Sequence, residues 1–333
     1  MSKKLDDDNA KGMGRLSQDE KEKFQPKYSF LQKRNQDHKK TLKIISKKLA
    51  KHSSLYSVGK SLYRIYCDVT GPLHSLPDFL IIGASRSGDT TLYENLTQHP
   101  NILAAAFMEI LFFEDQYQKG IGWYRGHFPY IWKKHIKFKK KNLTGEASPR
   151  YFVSPRAPMR IAKLIPDVKL IIILRDPIDR VYSEYQQKVA QRDETRSFDK
   201  IVDCGIADGE IKAKNAFERM KKDPNYYTLD YNFKAYLTHS RYVDHIEYWM
   251  KYFPKNQFLI LDSKEFDESP NKIFEKVFDF LNLPKFTNMD YAKYNSRKYD
   301  DMKSSTRKKL VEYFKPYNAR LYKLLGKEFD WDK

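Results

Sequence analysis

The chain of 333 residues carries 62 Lys and Arg against 43 Asp and Glu, a net charge of +19, with 41% hydrophobic residues. That length buries one large core, or a core with an appendage, and the charge suits a polyanionic glycan, a nucleic acid or an anionic membrane surface. Two cysteines far apart exclude a disulfide framework and a thiolate metal cluster, no His-Glu-x-x-His pattern supports a zinc hydrolase, and no apolar run reaches the ~18 residues of a membrane span.

Residues 1–40 are Lys-rich, interrupted by Asp6-Asp7-Asp8, and lack apolar periodicity, so they are expected to be a disordered basic segment. From 41 to 75, the run Leu42-Lys43-Ile44-Ile45-Ser46-Lys47-Lys48-Leu49 and the later Tyr63-Arg64-Ile65-Tyr66 predict one or two basic amphipathic helices. Residues 76–333 form the third unit, which holds every motif with chemistry in it. Without a signal or spanning segment the expected location is cytoplasmic, with peripheral membrane contact through the basic helices left open. No zinc-finger, RNP or helix-turn-helix pattern accompanies the charge, so nucleic acid is not an expected partner.

Phe79-Leu80-Ile81-Ile82 reads as a buried strand over 78–83, followed by the turn Gly83-Ala84-Ser85-Arg86-Ser87-Gly88-Asp89-Thr90-Thr91 and a helix through Leu92 and Leu96. Strand, glycine turn and helix make an anion cradle of backbone N–H groups. The spacing Gly83-x-x-x-x-Gly88-x-Thr90 fits a Walker A frame, but Asp89 stands where a nucleotide triphosphatase needs Lys. Arg86 is the only cation in the loop, so the site suits a phosphate-bearing ligand and not ATP hydrolysis. A carboxylate at position 89 would suit the helix N-terminus, and would compete there with a ligand phosphate.

Further along, Leu170-Ile171-Ile172-Ile173-Leu174 predicts a central parallel strand over 168–174, ended by Arg175-Asp176-Pro177, with Ser183 two turns into the next helix. Arg175 at the strand end is placed to grip a phosphate, or else to pair with Asp179 or Glu184. Gln257-Phe258-Leu259-Ile260-Leu261-Asp262 predicts a third strand, and 185–240 and 263–300 read as helices and loops over the ligand cleft.

Arg86-Ser87-Gly88-Asp89-Thr90 resembles the 5′-phosphosulfate loop of sulfotransferases that use 3′-phosphoadenosine 5′-phosphosulfate (PAPS), and Arg175 with Ser183 resembles their 3′-phosphate site. Phe107-Met108-Glu109-Ile110-Leu111-Phe112-Phe113, then Lys119-Gly120 and Trp123-Tyr124, is similar to the heparan sulfate branch, whose catalytic base falls on Glu109. Flanked by Met, Ile, Leu and two Phe, that Glu is expected to be desolvated, with a raised pKa. Gly145-Glu146-Ala147-Ser148-Pro149-Arg150-Tyr151 matches a family segment except that Ala147 replaces its Lys, leaving Arg150 or another neighbour to take the role. Near the C-terminus, Asn295-Ser296-Arg297-Lys298 stands where the family has a Lys-Gly-Arg cofactor loop, with Arg297 the firm match.

The resemblance covers about residues 76–331 and implies a three-layer, P-loop-like α/β fold with a mostly parallel central sheet flanked by helices. It implies transfer of a sulfuryl group from PAPS to a hydroxyl or amine, on a glycan or small-molecule acceptor, without a metal. Glu109 and Arg86 would be catalytic. Arg86, Ser87, Gly88, Asp89, Thr90, Thr91, Arg175, Ser183, Arg297 and Lys298 would bind PAPS. Asp89 and Ala147 depart from the family pattern and leave a second reading, a catalytically degenerate fold that only binds nucleotide or polyanion.

Overall fold

The computed structural model describes residues 53–135, 142–223, 226, 228, 231, 235–286, 289–294 and 300–331. The expected disordered segment 1–40, the helical stretch up to 52, and Arg297 and Lys298 lie outside the described residues.

Five strands form one sheet in the order β2-β3-β1-β4-β5, with β1 Phe79–Gly83, β2 Ile102–Ala104, β3 Leu143–Ala147, β4 Lys169–Leu174 and β5 Phe258–Asp262. All four pairings are parallel. Three of these strands are those predicted; β2 and β3 are not foreseen. The helices used below are α1 Ser53–Thr70, α2 Asp89–Leu96, α3 Gly120–Arg125, α4 Ile131–His135, α5 Ala157–Leu164, α6 Pro177–Ala190, α7 Tyr242–Trp249, α8 Pro270–Leu281 and α9 Ser304–Leu325.

Alternation along the central strands explains the three layers. Leu80, Ile82, Leu170, Ile172 and Leu174 face a core with Tyr124, Phe128, Ile161 of α5 and Val243, Ile246 and Trp249 of α7. Phe79, Ile81, Ile171 and Ile173 face the opposite core, built from Leu92 and Leu96 of α2 and from Phe274, Val277 and Phe278 of α8. Both faces of β1 and β4 are therefore dry, the environment that selects continuous β-branched runs in parallel sheets. A third cluster, with Ile178 and Val181 of α6 and Leu310 and Phe314 of α9, packs the C-terminal helix onto the body.

Chain order creates the crevice. From β1 the chain moves to β2 and β3 on one side, then crosses to β4 and β5 on the other. The carboxyl ends of β1 and β4 thus flank the switch point where open α/β sheets take their ligands. The β1–β4 register slips between Ile81 and Gly83, where the strand leaves the sheet for the glycine turn. On the far side of β1, Gly145 of β3 allows close approach, because a Cβ there would sit 2.5 Å from the Phe79 carbonyl oxygen.

Candidate active site

Each strand end delivers one part of the site. After β1, the loop 84–88 turns through Arg86, whose φ of 71° is left-handed, and Gly88, whose φ is 106°, into α2. After β4, Asp176 caps α6: its carboxylate accepts from the N–H groups of Ile178 at 2.8 Å and Asp179 at 3.4 Å, with Pro177 in the first turn. The cap directs Ser183 back toward the loop, where its hydroxyl accepts from Arg86 Nε at 3.2 Å. Arg175 Nη1 reaches the Arg86 carbonyl at 3.4 Å, so the two arginines of the predicted phosphate sites meet at the crevice.

The expected competitors for Arg175, Asp179 and Glu184, are engaged elsewhere, as is the neighbouring Asp176. Asp176 and Asp179 pair with Arg307 of α9 at 3.3 and 3.0 Å, and Glu184 pairs with Arg180 at 2.9 Å. Arg175 itself forms no ion pair among the described residues, and its carbonyl accepts from the Tyr242 hydroxyl at 2.9 Å. A cavity of about 920 Å³ opens over these groups, lined by Arg86, Ser87, Gly88, Asp89, Thr90, Thr91, Glu109, Arg175 and Ser183. The described residues of both predicted sets therefore share one cavity. Its volume fits a nucleotide-sized ligand, and the loop N–H groups, two guanidinium groups and a hydroxyl are the donor set that phosphate groups require.

Glu109 reaches this cavity by a route its sequence does not announce. Segment 109–113 is fastened to the end of β3: Glu109 N–H donates to the Ala147 carbonyl at 2.8 Å, Leu111 N–H to Ser148 Oγ at 3.3 Å, and Phe113 N–H to the Tyr151 hydroxyl at 3.3 Å. Glu109 and Leu111 have left-handed φ values of 55° and 54°. Such backbones are sparsely populated outside glycine and concentrate where a side chain must be aimed. Here they turn Ile110, Phe112 and Phe113 inward and leave Glu109 exposed on the cavity wall. The desolvation expected of Glu109 is thus absent, because its apolar neighbours bury themselves in the core instead of around it.

The buried carboxyl of this motif is Glu146, fully enclosed in β3. Tyr124 donates to Oε1 at 2.7 Å, Tyr151 to Oε1 at 3.2 Å and Ser148 to Oε2 at 2.8 Å. Burial still outweighs these three donors and pushes the carboxyl up to about 7. Glu146 ties together Ser148 and Tyr151, the two hydroxyls that hold segment 109–113. Ala147 is fully buried in the core, so a family-type Lys has no counterpart there. Arg150, also on the cavity, lies 2.8 Å from Asp115 and 3.5 Å from Glu114.

A second attachment also goes unforeseen. On α2 and the turn that follows it, Thr91, Asn95 and Gln98 each pair through their side chains with the backbone of one residue in the segment 290–294. Thr91 Oγ1 accepts from Tyr294 N–H at 3.1 Å and donates to its carbonyl at 3.3 Å, so that hydroxyl is committed to Tyr294. Asn95 bridges Ala292, and Gln98 bridges Asp290, in the same two-way manner. Lys293 and Tyr294 thereby join the cavity wall.

Asp89 behaves differently from the expected helix cap. Gly88 is the capping residue of α2, and Asp89 is only 7% exposed in its first turn. Burial first, then the charge of Glu109, pushes its carboxyl up to about 6, offset in part by its own N–H, Arg86 and Thr90. A folded-state pKa above the unfolded value means that folding takes up a proton between about pH 4 and 6. Stability is therefore lost as pH rises through that window. Asp89→Thr is accordingly expected to stabilise the protein at pH 8, by up to ~2–3 kcal/mol, with the advantage fading by pH 4–5. It is also expected to tighten 3′,5′-adenosine bisphosphate binding at pH 8, since a charge beside the phosphate loop is removed. Thermal unfolding and titration calorimetry across pH 4.5–8 measure both; parallel stability curves for parent and variant would refute the assignment.

A family model described as sulfotransferase domain matches residues 76–330. Heparan sulfate glucosamine 3-O-sulfotransferase 5 of Mus musculus is 30% identical over 283 residues, covering 78% of this chain and 75% of that protein. Bifunctional heparan sulfate N-deacetylase/N-sulfotransferase 3 of Homo sapiens is 32% identical over 289 residues, 76% of this chain and 30% of the relative. The crystal structure of a sulfotransferase from Alicyclobacillus acidocaldarius shares the fold, with a TM-score of 0.58 at 24% identity over 78% of this chain and all of that one.

Proposed function

The chain belongs to the sulfotransferase family, and from that premise we propose that it transfers a sulfuryl group from PAPS to a hydroxyl or amine of a carbohydrate, with Glu109 as general base. The observation that carries this reading is the convergence of Arg86, Arg175 and Ser183 at the β1–β4 crevice, with Glu109 on the same cavity. The heparan sulfate relatives support the carbohydrate acceptor; one is named for 3-O-sulfation and another for N-sulfation, which keeps both hydroxyl and amine in play.

PAPS, when bound, supplies the sulfuryl group. Arg175 and Ser183 hold its 3′-phosphate, with Arg297 and Lys298 joining them on the family resemblance. Arg86 and the N–H groups at the start of α2 face the 5′-phosphate and oppose the negative charge that builds there. Glu109, exposed on the cavity wall, takes the proton of the acceptor hydroxyl or amine. A proton on Asp89 would remove one negative charge from that corner of the cavity.

Incubation with PAPS and a panel of heparan-type, other glycan and small-molecule acceptors, read by mass spectrometry, tests the proposal through sulfated product. The binding-only reading is favoured by one observation, the buried carboxyl of Asp89 at the start of α2, beside the phosphate loop. Calorimetric binding of 3′,5′-adenosine bisphosphate with no product from any acceptor would select it, and no nucleotide binding would overturn both.

A further inference from the structure

Helix α1 has two apolar faces, and the body of the protein covers one. Gly59, Tyr63, Tyr66, Cys67 and Thr70 face inward. Gly126 of the segment after α3 admits Cys67 so closely that a Cβ there would lie 2.5 Å from the Cys67 Cβ. Roughly 120° around the axis, at 3.6-residue spacing, Val58, Leu62, Ile65 and Val69 form a second row, continued by Leu73. These five side chains are between 51% and 72% exposed.

A second apolar surface lies close to this helix. Tyr66 and Tyr130 share a hydrogen bond of 2.8 Å between their hydroxyls, and Trp132 stacks on Tyr130 at 4.3 Å. Trp132 and its neighbour Ile131 in α4 are 47% and 40% exposed. Single apolar side chains on a surface are ordinary, but five in one row, with Ile131 and Trp132 close by, mark an interaction face.

Charge identifies the partner. The sequence has no acidic residue from 38 to 67 or from 131 to 145, and both stretches are dense in Lys. In the second stretch, Ile131-Trp132 leads directly into Lys133-Lys134 and the Lys-rich residues up to 141. Apolar side chains set between basic tracts, with Trp at the margin, are what an anionic lipid interface selects. A hydroxyl-rich glycan would find no hydrogen-bonding groups along a row of Val, Leu and Ile.

We propose that this face, the outer row of α1 with Leu73, Ile131 and Trp132, seats the protein on an anionic membrane surface. Apolar side chains enter the acyl boundary and Lys133, exposed next to Trp132, engages headgroups. No described helix is long and apolar enough to cross a membrane, so the contact is peripheral. The proposal does not depend on the sulfuryl-transfer reading.

The test is co-sedimentation of the full chain with phosphatidylcholine vesicles, alone or with roughly a third phosphatidylserine. Binding to the anionic vesicles only is expected. Leu62→Glu with Ile65→Glu should lower that partition at least about tenfold, while melting temperature and 3′,5′-adenosine bisphosphate affinity stay as in the parent. Trp132→Ala should lower it to a smaller extent. Absence of vesicle binding would overturn the proposal, as would undiminished binding by the double variant, which would assign attachment to the Lys tracts alone. A dimer that the double variant dissociates, without vesicle binding, would give the face to a second copy instead.

Discussion

Replacing Glu109 with Gln is expected to lower sulfuryl turnover by about a hundredfold or more, the scale of losing a general base, and to leave nucleotide affinity undiminished. The geometry makes this substitution a clean one. Segment 109–113 is fixed through main-chain groups, Glu109 N–H to Ala147 O and Leu111 N–H to Ser148 Oγ, which an amide side chain does not disturb. Glu109 is exposed, so its replacement removes no buried contact, and stability should stay within ~0.5 kcal/mol. What changes is proton affinity: Gln keeps the shape and cannot take a proton from the acceptor. Glu109 is also one of the charges that raises Asp89, so the Gln variant should show a lower apparent pKa in the pH dependence of nucleotide binding. Single-turnover rates with labelled PAPS measure the main effect. Turnover within about threefold of the parent would assign the proton to another group or to water, and would remove Glu109 from the mechanism.

The parts of this site legible in the sequence are those whose chemistry is local. The β-branched run before Arg175 and the Asp176-Pro177 cap lie within a few residues of one another, and the capped helix follows from them directly. The glycine turn after β1 is legible for the same reason. Strand β3 is not: Leu-Thr-Gly-Glu-Ala carries a glycine and a charge in place of a strand pattern, and it is a strand because three hydroxyl donors satisfy Glu146 within the core. Thr91, Asn95 and Gln98 fall at positions i, i+4 and i+7, a spacing that aligns them on one side but names no partner. Their partners lie about two hundred residues away in the chain, a separation that hides the pairing from any local pattern. Asp89 misleads in the same sense. A carboxylate at a helix start reads as a favourable cap, and only tertiary packing shows that it is enclosed and held near another carboxylate.

Arg175→Ala is expected to weaken PAPS and 3′,5′-adenosine bisphosphate by about 30–150-fold, the equivalent of losing a charge-assisted phosphate contact of ~2–3 kcal/mol, with the acceptor KM unchanged. Its surroundings argue for a large effect. Arg307 occupies Asp176 and Asp179, and Arg180 occupies Glu184, so the carboxylates that could neutralise Arg175 are already paired. Among the described residues its guanidinium makes one hydrogen bond, to the Arg86 carbonyl, which is long at 3.4 Å and strengthens little by being kept. Truncation should leave the fold intact, because Tyr242 bonds the Arg175 carbonyl and not its side chain. Arg175→Lys keeps the charge but loses the planar fork, and should fall between parent and Ala variant. The decisive comparison is with adenosine 5′-phosphate, which lacks the 3′-phosphate: the Ala variant should bind it as the parent does. Equal weakening of both nucleotides would move Arg175 away from the 3′-phosphate and toward the 5′ side that it shares with Arg86.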